Sequence, residues 1–352
     1  MYFRVFRCCL VCAILVSTTQ VNANEVSNTP HVDERITYYQ NKINSNARLY
    51  PAYNLLARAY FDKAKVTHNP VLLDKARGLL EKSMGIQENF EAYKVYAVIS
   101  NYTHRFEDAL SWGRKAFSAL PIDTEVTATR VEALIGLGKD AQARRLLPDT
   151  INEVDDFYIA AAFGQWYSAQ ARYDQAHNAF LRAAKIAKEK DVDELQNWAT
   201  INAAGMRIDD GRLEEALPFL NKVRAKDNTN KDLLLHTAEV YTAKNELEKS
   251  LALYTKMLKT DNDPAIHHFA YLLAKQLNIT TAKNTHFTAA EAGYQLAINS
   301  GEIYTLGAMA RLYCDANVKL DIAYKLAKRN LSFKRDELAY ASFGRAKEKQ
   351  SQ

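Results

Sequence analysis

The sequence predicts an all-α chain of stacked helical hairpins, and three observations carry that expectation. Small residues recur in one column, Ala76, Ala109, Ala143, Ala176, Ala216, Ser250, Ala290 and Ala323, at spacings of 33, 34, 33, 40, 34, 40 and 33. Four residues after most of them stands a large side chain, Leu80, Leu147, Phe180, Leu220, Tyr254 or Tyr294, with Gly113 and Ala327 as the exceptions; such pairs share one helix face. The 352 residues hold only 12 Gly and 7 Pro, too few turn residues for a many-stranded sheet.

From the amino terminus, Arg4 and Arg7 precede an apolar run from Cys8 to Val16 and then Val21-Asn22-Ala23, the pattern of a cleavable export signal over residues 1–23. The chain is therefore expected to be exported, and periplasmic if bacterial. The alternative is a form anchored by this segment uncleaved. A spanning helix needs ~20 apolar residues, and Ser17-Thr18-Thr19-Gln20 interrupts the run, so no integral membrane segment is expected after cleavage. Three of the four cysteines, Cys8, Cys9 and Cys12, fall inside that run. Cys314 alone remains beyond it, which leaves no intramolecular disulfide, and stability must come from burial.

Residues 24–30 read as linker. Over 31–49, Val32, Ile36, Tyr39 and Ile43 stand at helical spacing, as in a single helix covering the first hairpin. The hairpin stack follows over 50–345, about seven to eight repeats. Ala97, Gly164, Ala204 and Ala238 lie twelve residues before members of the column, and Tyr167 and Tyr241 follow two of them by three. They mark the other helix of each hairpin, where small residues allow close approach. Gly164 costs ~1 kcal/mol of helix propensity relative to Ala, so close packing is its expected reason. The two 40-residue spacings place extra residues at 185–194, expected to lengthen a helix, and at 279–286, expected to form a loop. Leu338 to Phe343 continue a capping helix that is expected to dissolve into a polar tail over 346–352.

These positions resemble the tetratricopeptide repeat, in which a helix carrying L-G-x-x-Y is followed by one carrying A-x-x-x-F. Phe163-Gly164-Gln165-Trp166-Tyr167 with Ala176, Phe180 and Ala183 is the fullest copy. Ala238, Tyr241, Ser250 and Tyr254 resemble a second, and Tyr93, Ala97, Ala109, Ala116 and Pro121 a third. The resemblance, to a bacterial exported type of the family, implies a right-handed superhelix. Its concave groove would be lined by the first helix of each pair and would bind an extended peptide or a helix of another protein. Carried onto this chain, the groove positions are Asn54, Arg58, Lys94, Asn101, Gln165, Trp198, Glu239, His267, Tyr271 and Arg311, with Trp198 open to a core or a binding role. Chaperone-binding members clamp a terminal carboxylate, but here Asn54 and Arg58 hold the first clamp pair and Val95 the next Asn position, so the clamp is not reproduced.

Enzyme signatures are missing: there is no His-Glu-x-x-His, no Gly-x-Ser-x-Gly and no phosphate loop, since Gly136-Leu137-Gly138-Lys139-Asp140 lacks the first glycine and the Ser/Thr after lysine. It reads as a turn between helices. His267 and His268 are adjacent, and neighbours on a helix point ~100° apart, so a metal shared with His286 is not expected. One histidine should face the groove and the other a helix interface. Cys314 reads as a core thiol without a base. Asn101, Asn278 and Asn330 head Asn-x-Ser/Thr triplets, relevant only in a glycosylating pathway. With 46 basic and 41 acidic residues interspersed, and a formal charge of +5 that losing Arg4 and Arg7 would lower by two, nucleic acid is not an expected partner.

The expected function is a non-enzymatic, extracytoplasmic scaffold that holds another protein, with no cofactor and no metal. Alternatives are an auxiliary subunit of an envelope polysaccharide or lipid export machine, and a hydrolase or metal/redox protein using Cys314 or His267 and His268.

Overall fold

A computed structural model describes residues 29–351; the export signal and residues 24–28 of the linker lie outside the described residues. Among the described residues there are eighteen α-helices and no strand. A single helix α1 (Thr29–Ser45) is followed by eight hairpins and a closing helix α18 (Glu337–Ser351). The hairpins are α2 (Tyr50–Thr67) with α3 (Pro70–Ile86), α4 (Phe90–Tyr102) with α5 (Phe106–Ala119), α6 (Thr124–Gly136) with α7 (Asp140–Arg144), and α8 (Phe157–Ala169) with α9 (Tyr173–Glu189). Then come α10 (Asp193–Asp209) with α11 (Leu213–Arg224), α12 (Lys231–Ala243) with α13 (Leu247–Met257), α14 (Pro264–Gln276) with α15 (Thr280–Asn299), and α16 (Leu306–Ala316) with α17 (Leu320–Asn330).

The column of small residues is the spine of this stack. All eight, from Ala76 to Ala323, have no exposed surface at all. A larger side chain there would push the helices of a hairpin apart, so each is small because the approach is close. Gly164 makes the point at atomic distance: a Cβ on it would lie 2.7 Å from the Phe180 ring. Its propensity cost is thus tied to seating Phe180, which is fully buried.

Helix starts follow capping chemistry. Asn69, Asn89, Asp123, Asp156, Asn230 and Asp263 each accept a backbone N–H of the helix they precede with their side-chain oxygen. Each of the eight hairpin turns contains a residue with left-handed backbone: His68, His104, Gly138, Ala171, Gly211, Asn245, Asn278 and Asn317. Gly and Asn adopt that geometry cheaply and Ala does not.

Several elements differ from the sequence expectation. The leading helix begins at Thr29 and stops at Ser45, where 31–49 was expected. The third hairpin's second helix is five residues long, because Pro148 disfavours helix at the residue before it; Arg144 closes the end by donating to the carbonyls of Leu147, Pro148 and Asp149. Residues 280–286, expected as loop, are the first two turns of the 20-residue α15. No Gly or Pro interrupts that run before Gly293, and Phe287 packs its ring 5.6 Å from Tyr271. Helix α18 runs on to Ser351, where a polar tail was expected. The excess at 185–194 lengthens α9 and α10 to 17 residues each.

The superhelix is wound so tightly that its second turn rests on its first. The turn of the first hairpin meets the link after the sixth: His68 Nε2 lies 3.0 Å from Asp261. On the second helix of the same hairpin, Arg77 grips Glu302 through two bonds of 2.8 and 3.1 Å. The second turn meets the link after the seventh hairpin, where Arg105 donates to the Gly301 carbonyl at 2.9 Å. The third meets the link after the eighth, where the Arg335 N–H donates to the Gly136 carbonyl at 2.8 Å. Gly138 sits against the Arg335 carbonyl with φ +67°, leaving no room for a Cβ.

Candidate functional site: the inner wall and the seam

First helices pack side by side, α2 on α4, α4 on α6, α6 on α8, α10 on α12, α14 on α16 and α16 on α18, and form the inner wall. Seven of the ten groove positions inferred from sequence, Asn54, Arg58, Lys94, Asn101, Trp198, Tyr271 and Arg311, are buried within that wall. Their polar groups are rungs between neighbouring first helices. Asn54 Nδ2 donates to Asn89 Oδ1 at 2.8 Å. Lys94 Nζ lies 3.3 Å from Asp123 and 3.4 Å from Glu125. Asn101 Nδ2 donates to the Thr129 carbonyl and to Glu132 at 2.7 and 3.0 Å, and Arg311 donates to Ser342 at 3.1 Å. A buried polar group without such a partner would cost ~1–3 kcal/mol. Burial also sets Asn101 and Asn330 apart from exposed glycan carriers.

Trp198 belongs to the core. It is 7% exposed and its ring meets Phe157 at 5.8 Å and Phe180 at 5.9 Å. Gln165, Glu239 and His267 keep partial access to solvent. Glu239 pairs with His236 at 2.7 Å, while His267 shares a 3.0 Å contact with His286, both at Nδ1. His268 is buried and bonds Asp315 at 2.8 Å through Nε2. The pair therefore splits between wall and interface. Cys314 is 2% exposed in the last hairpin's core, where burial pushes its thiol up from the ordinary value and away from a reactive thiolate.

Charged groups also stay reachable on the first helices. Asp62 and Lys65 on α2, Glu194 on α10, and Asp232 and Glu239 on α12 are half-buried or exposed. The surrounding protein raises the Glu194 carboxyl, with Lys65 opposing and Asp62 adding. Asp232 is likewise raised by burial.

The seam holds residues the sequence did not single out. Lys231 Nζ sits among His68 Nε2, Asp261 and Asp263, at 3.1, 2.7 and 2.9 Å. His68, Asp261 and Asp263 offer three ligand atoms within 4.8 Å of one another; the Lys231 ammonium takes the cation's place there. Despite the cost of burial, Lys231 and His68 bring Asp261 down to about 2. Beside this cluster is a cavity of about 140 Å³, walled by Tyr102, His104, Phe269, Tyr294, Tyr304 and Thr305 among others. One signal for these residues was in the sequence: two hairpin turns carry His where five of the other six carry Gly or Asn.

Residues 207–275, from the end of α10 to α14, match the family model described as tetratricopeptide repeat. No curated protein matches the chain in sequence. Among solved structures, the human IFIT1 dimer with m7Gppp-AAAA is 14% identical, over 91% of this chain and 76% of its own, with a TM-score of 0.47. Yeast Tom70 is 13% identical over 97% and 66%, with a TM-score of 0.36. A tetratricopeptide repeat protein from Parabacteroides merdae is 12% identical over 85% and 98%, with a TM-score of 0.39. Residues 207–275 match the tetratricopeptide repeat, and the eight stacked hairpins give the chain the all-helical hairpin solenoid fold that the sequence resemblance implied.

Proposed function

We propose that this protein is a non-enzymatic scaffold that works outside the cytoplasm and holds a segment of a protein partner against its inner wall. The observation that carries the reading is the wall itself: side chains of neighbouring first helices bond it into one preformed surface on which polar and charged groups stay reachable. A preformed surface spares a partner the cost of ordering the site. Asp62, Glu194, Asp232 and Glu239 offer carboxylates to a Lys or Arg of the partner segment, and Lys65 stands beside them. Extracytoplasmic work rests on the export pattern of residues 1–23. Among the described residues, no helix is long and apolar enough to cross a membrane.

A photo-crosslinking residue placed at Gln165 or Asp232 tests the scaffold in intact cells. One dominant protein adduct is expected from the wall positions and none from Lys185, exposed on a second helix. No adduct from the wall, or the same adducts from Lys185, would contradict the reading. Export predicts a mature chain beginning at Asn24 in the envelope fraction; an intact Met1 in the cytoplasm would contradict it.

A further inference from the structure

The cavity between the two windings of the superhelix is built as a ligand site. Its walls come from both ends of the chain: Tyr102 and His104 belong to the second hairpin, Phe269 to the seventh, and Tyr304 and Thr305 to the link before the eighth. Most of the lining is apolar or aromatic, and about 140 Å³ of room is close to that of cavities that admit a single benzene ring. The polar part of the lining includes His68 and Asp263, which pair with Lys231, and two further atoms that have no partner. His104 Nδ1 and the Thr305 hydroxyl are buried with no hydrogen-bond partner, and both residues are at least nine-tenths buried.

Each of the two breaks a local rule. Thr305 stands at the N-cap of α16, where a threonine ordinarily accepts a backbone N–H, yet its side chain makes no capping bond. His104 holds the left-handed backbone of its turn at φ 57°, a place where Gly or Asn would be less strained. The other hairpin turn with histidine in that role carries His68, which lines the same cavity. Burial, with Lys334 and Arg311 adding to it, keeps the His104 imidazole neutral, so it can accept as well as donate a hydrogen bond.

We infer that this cavity binds a small monocyclic aromatic molecule bearing one hydroxyl, its ring among Tyr102, Phe269 and Tyr304 and its hydroxyl bonded to His104 Nδ1 and Thr305 Oγ. The hydroxyl donates to one atom and accepts from the other, satisfying both orphaned groups. Because the walls belong to both windings, occupancy holds the seam shut. The site is independent of whether the inner wall holds a protein.

Calorimetric titration of the full chain with phenol, and with toluene as the same ring without the hydroxyl, tests this directly. Phenol should saturate one site per chain and bind on the order of tenfold tighter than toluene, the margin of about two hydrogen bonds. Thr305→Val removes an unpartnered hydroxyl at nearly constant shape. It should leave thermal stability equal or higher and cut phenol's advantage over toluene by several-fold. His104→Asn, compatible with the left-handed backbone, should also reduce that advantage. Toluene binding as tightly as phenol, or no saturable binding of phenol to the folded wild-type chain, would overturn the assignment.

Discussion

At the scale of single residues, Trp198 shows how burial decides between two roles that one sequence position allows. It lies near the start of a first helix, where a binding residue could stand, but Phe157 and Phe180 enclose it. Trp198→Ala should therefore cost about 3–5 kcal/mol in a denaturant titration, whereas a surface binding residue would leave the midpoint nearly unchanged. The histidines make a second prediction. His104, His177, His267, His268 and His286 all titrate below the ordinary value of 6.5, burial being the largest cause in each. Below pH 6.5 the unfolded chain binds protons that the folded chain refuses, so stability should fall as pH drops from 6.5. Asp261 acts with the same sign lower down: its contribution is present above about pH 4 and lost as pH falls toward 2. Thermal melts between pH 7.5 and 5 check the histidine effect, and His104→Asn should reduce it, since the other four histidines remain.

At the scale of elements, the hairpins were legible because packing imposes a periodic demand on side-chain size. Every member of the small-residue column is sealed from solvent, and Gly164 stands where its helix touches Phe180. Boundaries set by chemistry that does not repeat were less legible. One proline shortened α7, and a run free of breakers turned an expected loop into the start of α15. The turns were visible in part. Five residues before the column stand His104, Gly138, Ala171, Gly211 and Asn245, all left-handed, but His and Ala there hide the pattern that Gly and Asn would announce. Ala171 and Gly211 make a matched test, since both are at open turns. Ala171→Gly should stabilise the chain by up to ~1 kcal/mol and Gly211→Ala should destabilise it by about as much, read from urea midpoints. Equal effects of one sign would refute the strain argument.

At the scale of the whole molecule, repeat periodicity describes contacts between neighbours and is silent about contacts five hairpins apart. The seam joins residues 163 to 225 positions from each other in the chain, and no column of the repeat encodes it. The ten wall positions carried over from the family lie on the expected helices. Seven are spent inside the wall because tight winding brings those helices together. The winding also creates the cavity, since its walls meet only when the second turn rests on the first. Arg77 and Glu302 are the pair to break: the Glu302 side chain is wholly buried and held bidentately, and reversing one charge leaves two carboxylates facing each other. Small-angle X-ray scattering on the wild type, Arg77→Glu, and Arg77→Glu with Glu302→Arg tests the closed winding most directly. The account predicts a compact wild type, a larger radius of gyration for the single variant, and a return toward the wild-type value in the double variant; a wild type already as extended as Arg77→Glu would contradict it.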